Sequence, residues 1–179
     1  MSSEKNSTVN IDIGALVKRS QLGDAESFGT LYELYADDMY RYALWYIGNE
    51  TLAEEAVSEA VCNAFAAIRT VKKAQAFRGW LFRILSNCCK KYLTEKINAR
   101  SVEPLPENDE IELEGDMSSR SELWLMIRRL DEVQRSILLL SVIGGYTSGE
   151  IGEMLHMKPS TVRSDLARTL HRLKSEISE

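Results

Sequence analysis

Residues 147–174, TSGEIGEMLHMKPSTVRSDLARTLHRLK, decide how the rest of the chain is read. The spacing predicts a helix over 147–155, a turn of three or four residues at 156–159, and a second helix opening near Pro159. Proline suits the first helical turn because the N–H it lacks would have no partner there. Two short helices around such a break make a helix-turn-helix, whose second helix enters the major groove of DNA. With an advance of about 100° per residue, Val162, Leu166, Leu170, Leu173 and Ile177 fall on one side and are expected to face a core. Ser164, Arg168 and His171 lie opposite, with Thr161, Arg163, Ala167 and Arg172 on the flanks. Arg168 sits at the centre of the exposed side, where it can reach a guanine edge, while Arg163, Arg172 and Lys174 are better placed for phosphates. The plainer reading of these charges is that they solvate a surface helix.

Upstream, charge is sharply divided. Between Asp24 and Glu59 there are nine acidic side chains and one basic, Arg41; between Arg69 and Arg100 there are nine basic and one acidic, Glu95. Such a bipolar unit can offer one face to a basic protein and the other to a polyanion. A smaller basic cluster runs from Lys158 to Lys174, with five Lys or Arg against Asp165 alone. Two separate basic elements suit two contacts on one nucleic acid. Within the first of them, Trp80, Arg83, Asn87, Lys90 and Lys91 project to one side of a helix, with Leu81, Ile84, Leu85, Cys88 and Tyr92 on the buried side. An aromatic beside a basic, amide-bearing strip suits an unpaired strand, since charge follows the phosphates and flat side chains accept bases. Trp80 reads equally well as a core residue. The segment 70–78, with Lys72, Lys73, Gln75 and Arg78, reads as a loop able to hold an extruded base.

Helical periodicity covers almost everything else. Phe28, Leu31, Tyr35, Met39, Tyr42 and Trp45 or Tyr46 trace one amphipathic helix over 25–46, and further helices are expected over 13–21, 52–68 and 79–96. No stretch alternates with strand period. Residues 101–120 carry Pro104, Pro106 and seven acidic residues against Arg120, the composition of a solvated linker. The fold expected is therefore all-α: a flexible tail at 1–10, a helical domain at 11–98, an acidic linker at 99–120, and a helix-turn-helix domain at 121–179.

Composition excludes several function classes. A formal net charge of -5 argues against a protein that coats nucleic acid indiscriminately. No apolar run approaches the roughly 20 residues that span a bilayer, and the polar start lacks signal-peptide regions, so a cytoplasmic location without membrane insertion is expected. Cys62, Cys88 and Cys89 lack metal spacing; they read as reduced packing residues, with a redox switch as the alternative. Only His156 and His171 are present, with no nucleophile, phosphate loop or metal spacing beside them, which argues against an enzyme and against a cofactor or metal.

From about Ile13 to Ile177 the chain resembles the extracytoplasmic-function (ECF) sigma factors of bacterial RNA polymerase. LGDAESFGTLYELYADDMYRYA, TLAEEAVSEAVCNAF and FRGWLFRILSNCCKKYL are similar to sigma region 2, and RRLDEVQRSILLLSVIGGYTSGEIGEMLHMKPSTVRSDLARTLHRLK is similar to region 4. The resemblance implies docking on core RNA polymerase through Glu54, Glu55, Ser58 and Glu59. It implies capture of the melted -10 element by Lys72, Lys73, Arg78, Trp80, Arg83, Asn87, Lys90 and Lys91. It implies reading of the double-stranded -35 element by Thr161, Arg163, Ser164, Ala167, Arg168, His171 and Arg172. Catalysis would belong to the polymerase, and an anti-sigma factor is a further expected partner. A helix-turn-helix regulator that never docks on polymerase, and a decoy that docks without reading DNA, are the competing readings. On the docking helix the chain departs from the pattern at Ser58, where glutamine is usual, at Ala56, where a larger aliphatic is common, and at Phe65, in place of tryptophan. In the helix-turn-helix it departs at Asp165, where a basic residue is common, at His156, where glycine is usual in the turn, and at Gly152, where alanine is common.

Overall fold

Short polar side chains set most of the helix starts in the computed structural model, which describes residues 11–100 and 117–177, the side chains of 96–100 and 117–121 excepted. The Ala15 N–H donates to Asp12 at 3.0 Å, the Glu26 and Ser27 N–H groups to Asp24 at 3.1 and 3.2 Å, the Leu52 N–H to Asn49 at 2.9 Å and the Gln134 N–H to Asp131 at 2.8 Å. Each satisfies a donor that the first helical turn would otherwise leave unpaired. The helices are α1 (Ile13–Gln21), α2 (Ala25–Glu33), α3 (Ala36–Ile47), α4 (Glu50–Ala67), α5 (Phe77–Arg100), α6 (Met117–Arg128), α7 (Glu132–Val142), α8 (Ser148–Leu155) and α9 (Pro159–Ile177). Two single 3₁₀ turns, Ile68–Thr70 and Ala74–Ala76, lie between α4 and α5. No strand occurs among the described residues, so the chain is all-α. The expected tail at 1–10 and residues 101–116 of the expected linker at 99–120 lie outside the described residues, while the ends of that linker, 99–100 and 117–120, are helical and belong to α5 and α6.

One expected helix is two. The periodic run 25–46 breaks at Leu34 and Tyr35, where Tyr35 leaves helical geometry at φ -125° and ψ -1°. Its ring packs 6.1 Å from Phe77 and lies under the Arg78 guanidinium at 5.9 Å, so tertiary contact holds a bend that the apolar spacing does not record.

α3, α4 and α5 form the first layer of the core around Met39, Tyr42, Phe77, Leu81, Phe82 and Leu85. α4 turns Ala53, Ala56, Ala60 and Ala64 inward, each fully buried. In the second half, the buried Arg135 of α7 donates to the carbonyls of Ile127, Arg128 and Leu130 at 3.3, 2.7 and 3.0 Å. It thereby closes the C-terminal end of α6, where carbonyls lack intrahelical partners and a positive charge is favoured.

The two halves share one apolar cluster. Ile137, Leu139, Leu140, Tyr146, Ile151, Met154 and Val162 of the second half are buried with the residues of the first. At one contact Trp124 of α6 lies directly on Gly48, which ends α3 in the left-handed conformation at φ 74°; a Cβ there would stand 1.8 Å from the indole. This sharing corrects the expected faces of α5. Leu81, Leu85 and Cys88 are buried as expected, but Ile84 and Tyr92 are half-exposed, while Phe82 and Cys89 are fully buried. The reason is that α5 is covered on two sides: Phe82 meets Tyr42 at 6.0 Å within its own half and Tyr146 at 5.6 Å from the other.

Candidate nucleic-acid interface

The helix-turn-helix forms with the expected bounds. Thr147 and Glu150 cap α8 reciprocally: the Glu150 N–H donates to the Thr147 hydroxyl oxygen at 3.4 Å and the Thr147 N–H to the Glu150 carboxylate at 2.8 Å. The hydrogen bond from the Thr147 hydroxyl holds the Glu150 carboxyl below its ordinary range. α8 ends at His156, which takes the left-handed conformation (φ 56°, ψ 43°) that glycine adopts more cheaply. The Met157 N–H then turns back to the Gly152 carbonyl at 2.8 Å. A Cβ on Gly152 would lie 2.7 Å from the Met157 carbonyl oxygen, so this tight turn requires glycine at 152.

The turn launches α9 with its polar face outward. Thr161, Arg163, Ser164, Ala167, Arg168, His171 and Arg172 are all exposed. Arg168 is tied to Asp165 one turn earlier, and Arg172 donates to Glu176 at 2.9 Å. The carboxylate of Asp165 lies low against the helix, with its side chain 15% exposed against 76% for Arg168, so it presents the arginine rather than competing with it for solvent. The buried face differs from expectation. Val162 and Leu173 are buried and Leu166 is half-buried, but Leu170 and Ile177 are 45% and 62% exposed while Thr169 is buried. The inward stripe is 162, 166, 169 and 173. Leu170 and Ile177 instead line an open apolar groove of about 470 Å³ with Trp45, Leu123 and Val142.

On α5 the expected strip is only partly free. Arg83 and Asn87 are exposed, as are Lys72 and Lys73 ahead of the helix. Trp80 is half-exposed, its indole N–H donating to the Thr70 hydroxyl at 3.2 Å and its ring 5.8 Å from Phe77. The remaining cations are engaged. Lys90 pairs with Glu132 of α7 at 2.9 Å and Lys91 with Glu59 of α4 at 3.0 Å. Arg78 turns toward the seam, its guanidinium 4.8 Å from the Tyr146 ring centroid, 5.9 Å from that of Phe82, and 3.6 Å from Asp38. A cleft of about 540 Å³ results, with Lys73, Arg78, Trp80 and Arg83 on one wall and Glu150 and Glu153 of α8 on the other. Local spacing carries no signal for this cleft, because its walls are about seventy residues apart in sequence.

The acidic ridge lies on α4. Glu54, Glu55 and Ser58 are exposed, and Glu59 is half-buried against Lys91, whose hydrogen bond holds the Glu59 carboxyl below its ordinary range. The buried alanines occupy the opposite side of the same helix. Cys62 is exposed, while Cys88 and Cys89 are buried, and burial pushes both of those thiols up.

An acidic helix, a basic helix with its preceding loop, and a helix-turn-helix whose second helix is exposed, in that order, define a promoter-recognition factor. The chain matches the family descriptions "Sigma-70 region 2" over residues 31–97 and "Sigma-70, region 4" over 120–173, together more than half of its length. It belongs to the sigma-70 family, in the ECF sigma factor branch. It is 28% identical over 173 residues to the ECF RNA polymerase sigma factor BldN of Streptomyces coelicolor, covering 88% of this chain and 64% of that protein's length. Against SigW of Bacillus subtilis it is 23% identical, covering 91% of this chain and 95% of the relative. Among solved structures, CnrH in complex with the cytosolic domain of CnrY aligns with a TM-score of 0.74 at 20% identity, covering 93% of this chain and 98% of that one. RpoE of Bartonella quintana, in complex with the anti-sigma factor NepR, aligns with a TM-score of 0.67 at 18% identity, covering 86% and 98%. These two show the fold. No helix among the described residues is long and apolar enough to cross a membrane.

Proposed function

We propose that the chain is a dissociable initiation factor that binds core RNA polymerase and directs it to promoters. The α4 ridge of Glu54, Glu55 and Ser58 is its docking surface, with Glu59 joining once Lys91 lets go. Lys72, Lys73, Arg78, Trp80, Arg83, Asn87, Lys90 and Lys91 follow the melted strand at -10, and Thr161, Arg163, Ser164, Ala167, Arg168, His171 and Arg172 read the duplex at -35. The observation that carries this reading is the fully exposed polar face of α9 on a chain that also presents opposed acidic and basic helices. Each reader can bind weakly by itself, because the polymerase raises the effective concentration of both at one promoter. The factor works in the cytoplasm without a cofactor of its own, the polymerase supplies the chemistry, and an anti-sigma factor of the kind solved with RpoE is a fitting regulator.

Runoff transcription with purified core polymerase and a library of upstream sequences tests this. Defined starts are expected only when the chain is present, and Glu54→Lys with Glu55→Lys should abolish them while leaving DNA binding intact. DNA binding without any effect on core would instead show an ordinary helix-turn-helix regulator, and core binding without starts a decoy.

A further inference from the structure

No residue assigned to polymerase or DNA lies on α1, yet its last side chain grips the segment that carries Lys72 and Lys73. The Gln21 Nε2 donates to the carbonyls of Ile68 and Val71 at 3.3 and 2.8 Å, reaching 47 and 50 residues along the chain. Reversing the amide would set its oxygen against two carbonyl oxygens, so the donor end faces the loop. In return the Arg69 Nε donates at 3.1 Å to the Gln21 carbonyl, which ends a helix and has no partner within it. From the other side, the Thr70 hydroxyl donates to the Ala67 carbonyl at 2.8 Å and accepts the indole N–H of Trp80 on α5 at 3.2 Å.

The grip falls where the backbone has least support of its own. Residues 71–73 lie between the two 3₁₀ turns, in neither, and α1 packs against both turns. Ile68 and Val71 are buried, while Lys72 and Lys73 are exposed immediately beyond them. Charge and placement then contribute differently to binding. A lysine attracts phosphate from many positions, so affinity for a strand tolerates a loose loop. Telling one base from another requires contacting groups held within about 0.5 Å of their place, so discrimination does not.

Resting on the reading of 70–78 and α5 as the strand-reading surface, we propose that Gln21 is a specificity-determining positioning residue: without touching DNA, it fixes the path of 68–73 and so sets how sharply one -10 base is told from another.

Three substitutions test this in the full chain. Gln21→Met keeps the length of the side chain and removes its donors, Gln21→Ala removes them with a smaller group, and Gln21→Lys puts back an N–H donor. Circular dichroism reads helix content, and hydrogen exchange followed by mass spectrometry reads the peptide 68–76. Runoff transcription with core polymerase, from the promoter that wild type selects, randomised first at -10 and then at -35, reads base preference at each element. Expected for Gln21→Met and Gln21→Ala are faster exchange at 68–76, -10 preferences flattened by about fivefold, the weight of one net hydrogen bond, and -35 preferences within about twofold of wild type. Gln21→Lys should recover most of the -10 preference. Faster exchange with -10 preferences still within about twofold of wild type would overturn the proposal. So would unchanged exchange, equal flattening at both elements, loss of helix content in both donor-free variants, or a Gln21→Lys no sharper than Gln21→Met. A wild type without defined starts removes the initiation-factor reading and this proposal with it; defined starts with sharp -10 preferences in every variant remove the proposal alone.

Discussion

His156 holds a left-handed backbone conformation that costs a side chain with a Cβ on the order of 1 kcal/mol, and it does so in the turn that aims α9. Gly152 makes that arrangement possible by leaving room for the Met157 carbonyl. His156→Gly should therefore raise stability by about 0.5 kcal/mol, relief of strain outweighing the extra entropy lost by glycine, and chemical denaturation checks it. The reverse change at the other position, Gly152→Ala, meets a carbonyl oxygen and should destabilise. Resemblance to the family marks both residues as unusual for this turn, but only the structure shows that the room left at Gly152 accommodates the turn that His156 makes. Arg135 was equally hidden: an arginine between Gln134 and Ser136, ahead of an apolar run, gives no sign that it will be buried as the C-terminal closure of a neighbouring helix.

Among the elements, α9 was the most legible, because a proline start and a run of arginines on one face are local signals. Two of those arginines have different roles. Arg168→Ala should flatten discrimination among -35 sequences by about 1–3 kcal/mol at the base pair that the guanidinium reads. Arg172→Ala, with its guanidinium held toward Glu176 on the flank, should weaken binding evenly across sequences and lower the salt dependence; gel-shift titrations over several operators and salt concentrations distinguish the two. Less legible was the division between α2 and α3. The apolar stripe runs through Leu34 and Tyr35 without interruption, and neither glycine nor proline marks the bend, which is held by contacts with residues more than forty positions away. The inward stripe of α9 went astray for a related reason: Thr169 is buried and Leu170 is not, because α7 and α8 decide which side is covered.

For the whole molecule, the all-α class and the order of the readers followed from periodicity and charge blocks, whereas the seam depends on contacts between residues too distant for any period to reveal. Shifted groups spread over both halves set the response to pH. Glu59, Glu150 and Asp24 have carboxyls held below their ordinary values of 4.5, 4.5 and 3.8, chiefly by hydrogen bonds from Lys91, Thr147 and Ser27. A carboxyl depressed in the folded state stabilises above its ordinary value and loses that contribution as pH falls through the folded one. Tyr46 behaves oppositely: burial pushes it from 10.0 to about 12, and Tyr42 moves in the same direction. The contribution of Tyr46 is complete below pH 10 and disappears as pH rises toward 12, and that of Tyr42 is likewise lost on the alkaline side. Urea midpoints measured across pH should accordingly be flat from about 5 to 9 and decline on both sides, with the alkaline loss arriving as one cooperative unfolding step that carries the tyrosines with it.

Ala53, Ala56, Ala60 and Ala64 give α4 an inward face that, Val57 apart, carries nothing bulkier than a methyl group of its own. The height of its carboxylates above the bundle is thus a fixed dimension, as a shim fixes the clearance between two machined parts. A leucine at any of the four would lift the ridge without altering one charge on it, so the fit to a rigid partner can be lost from the inside of the molecule while every outward-facing group stays the same.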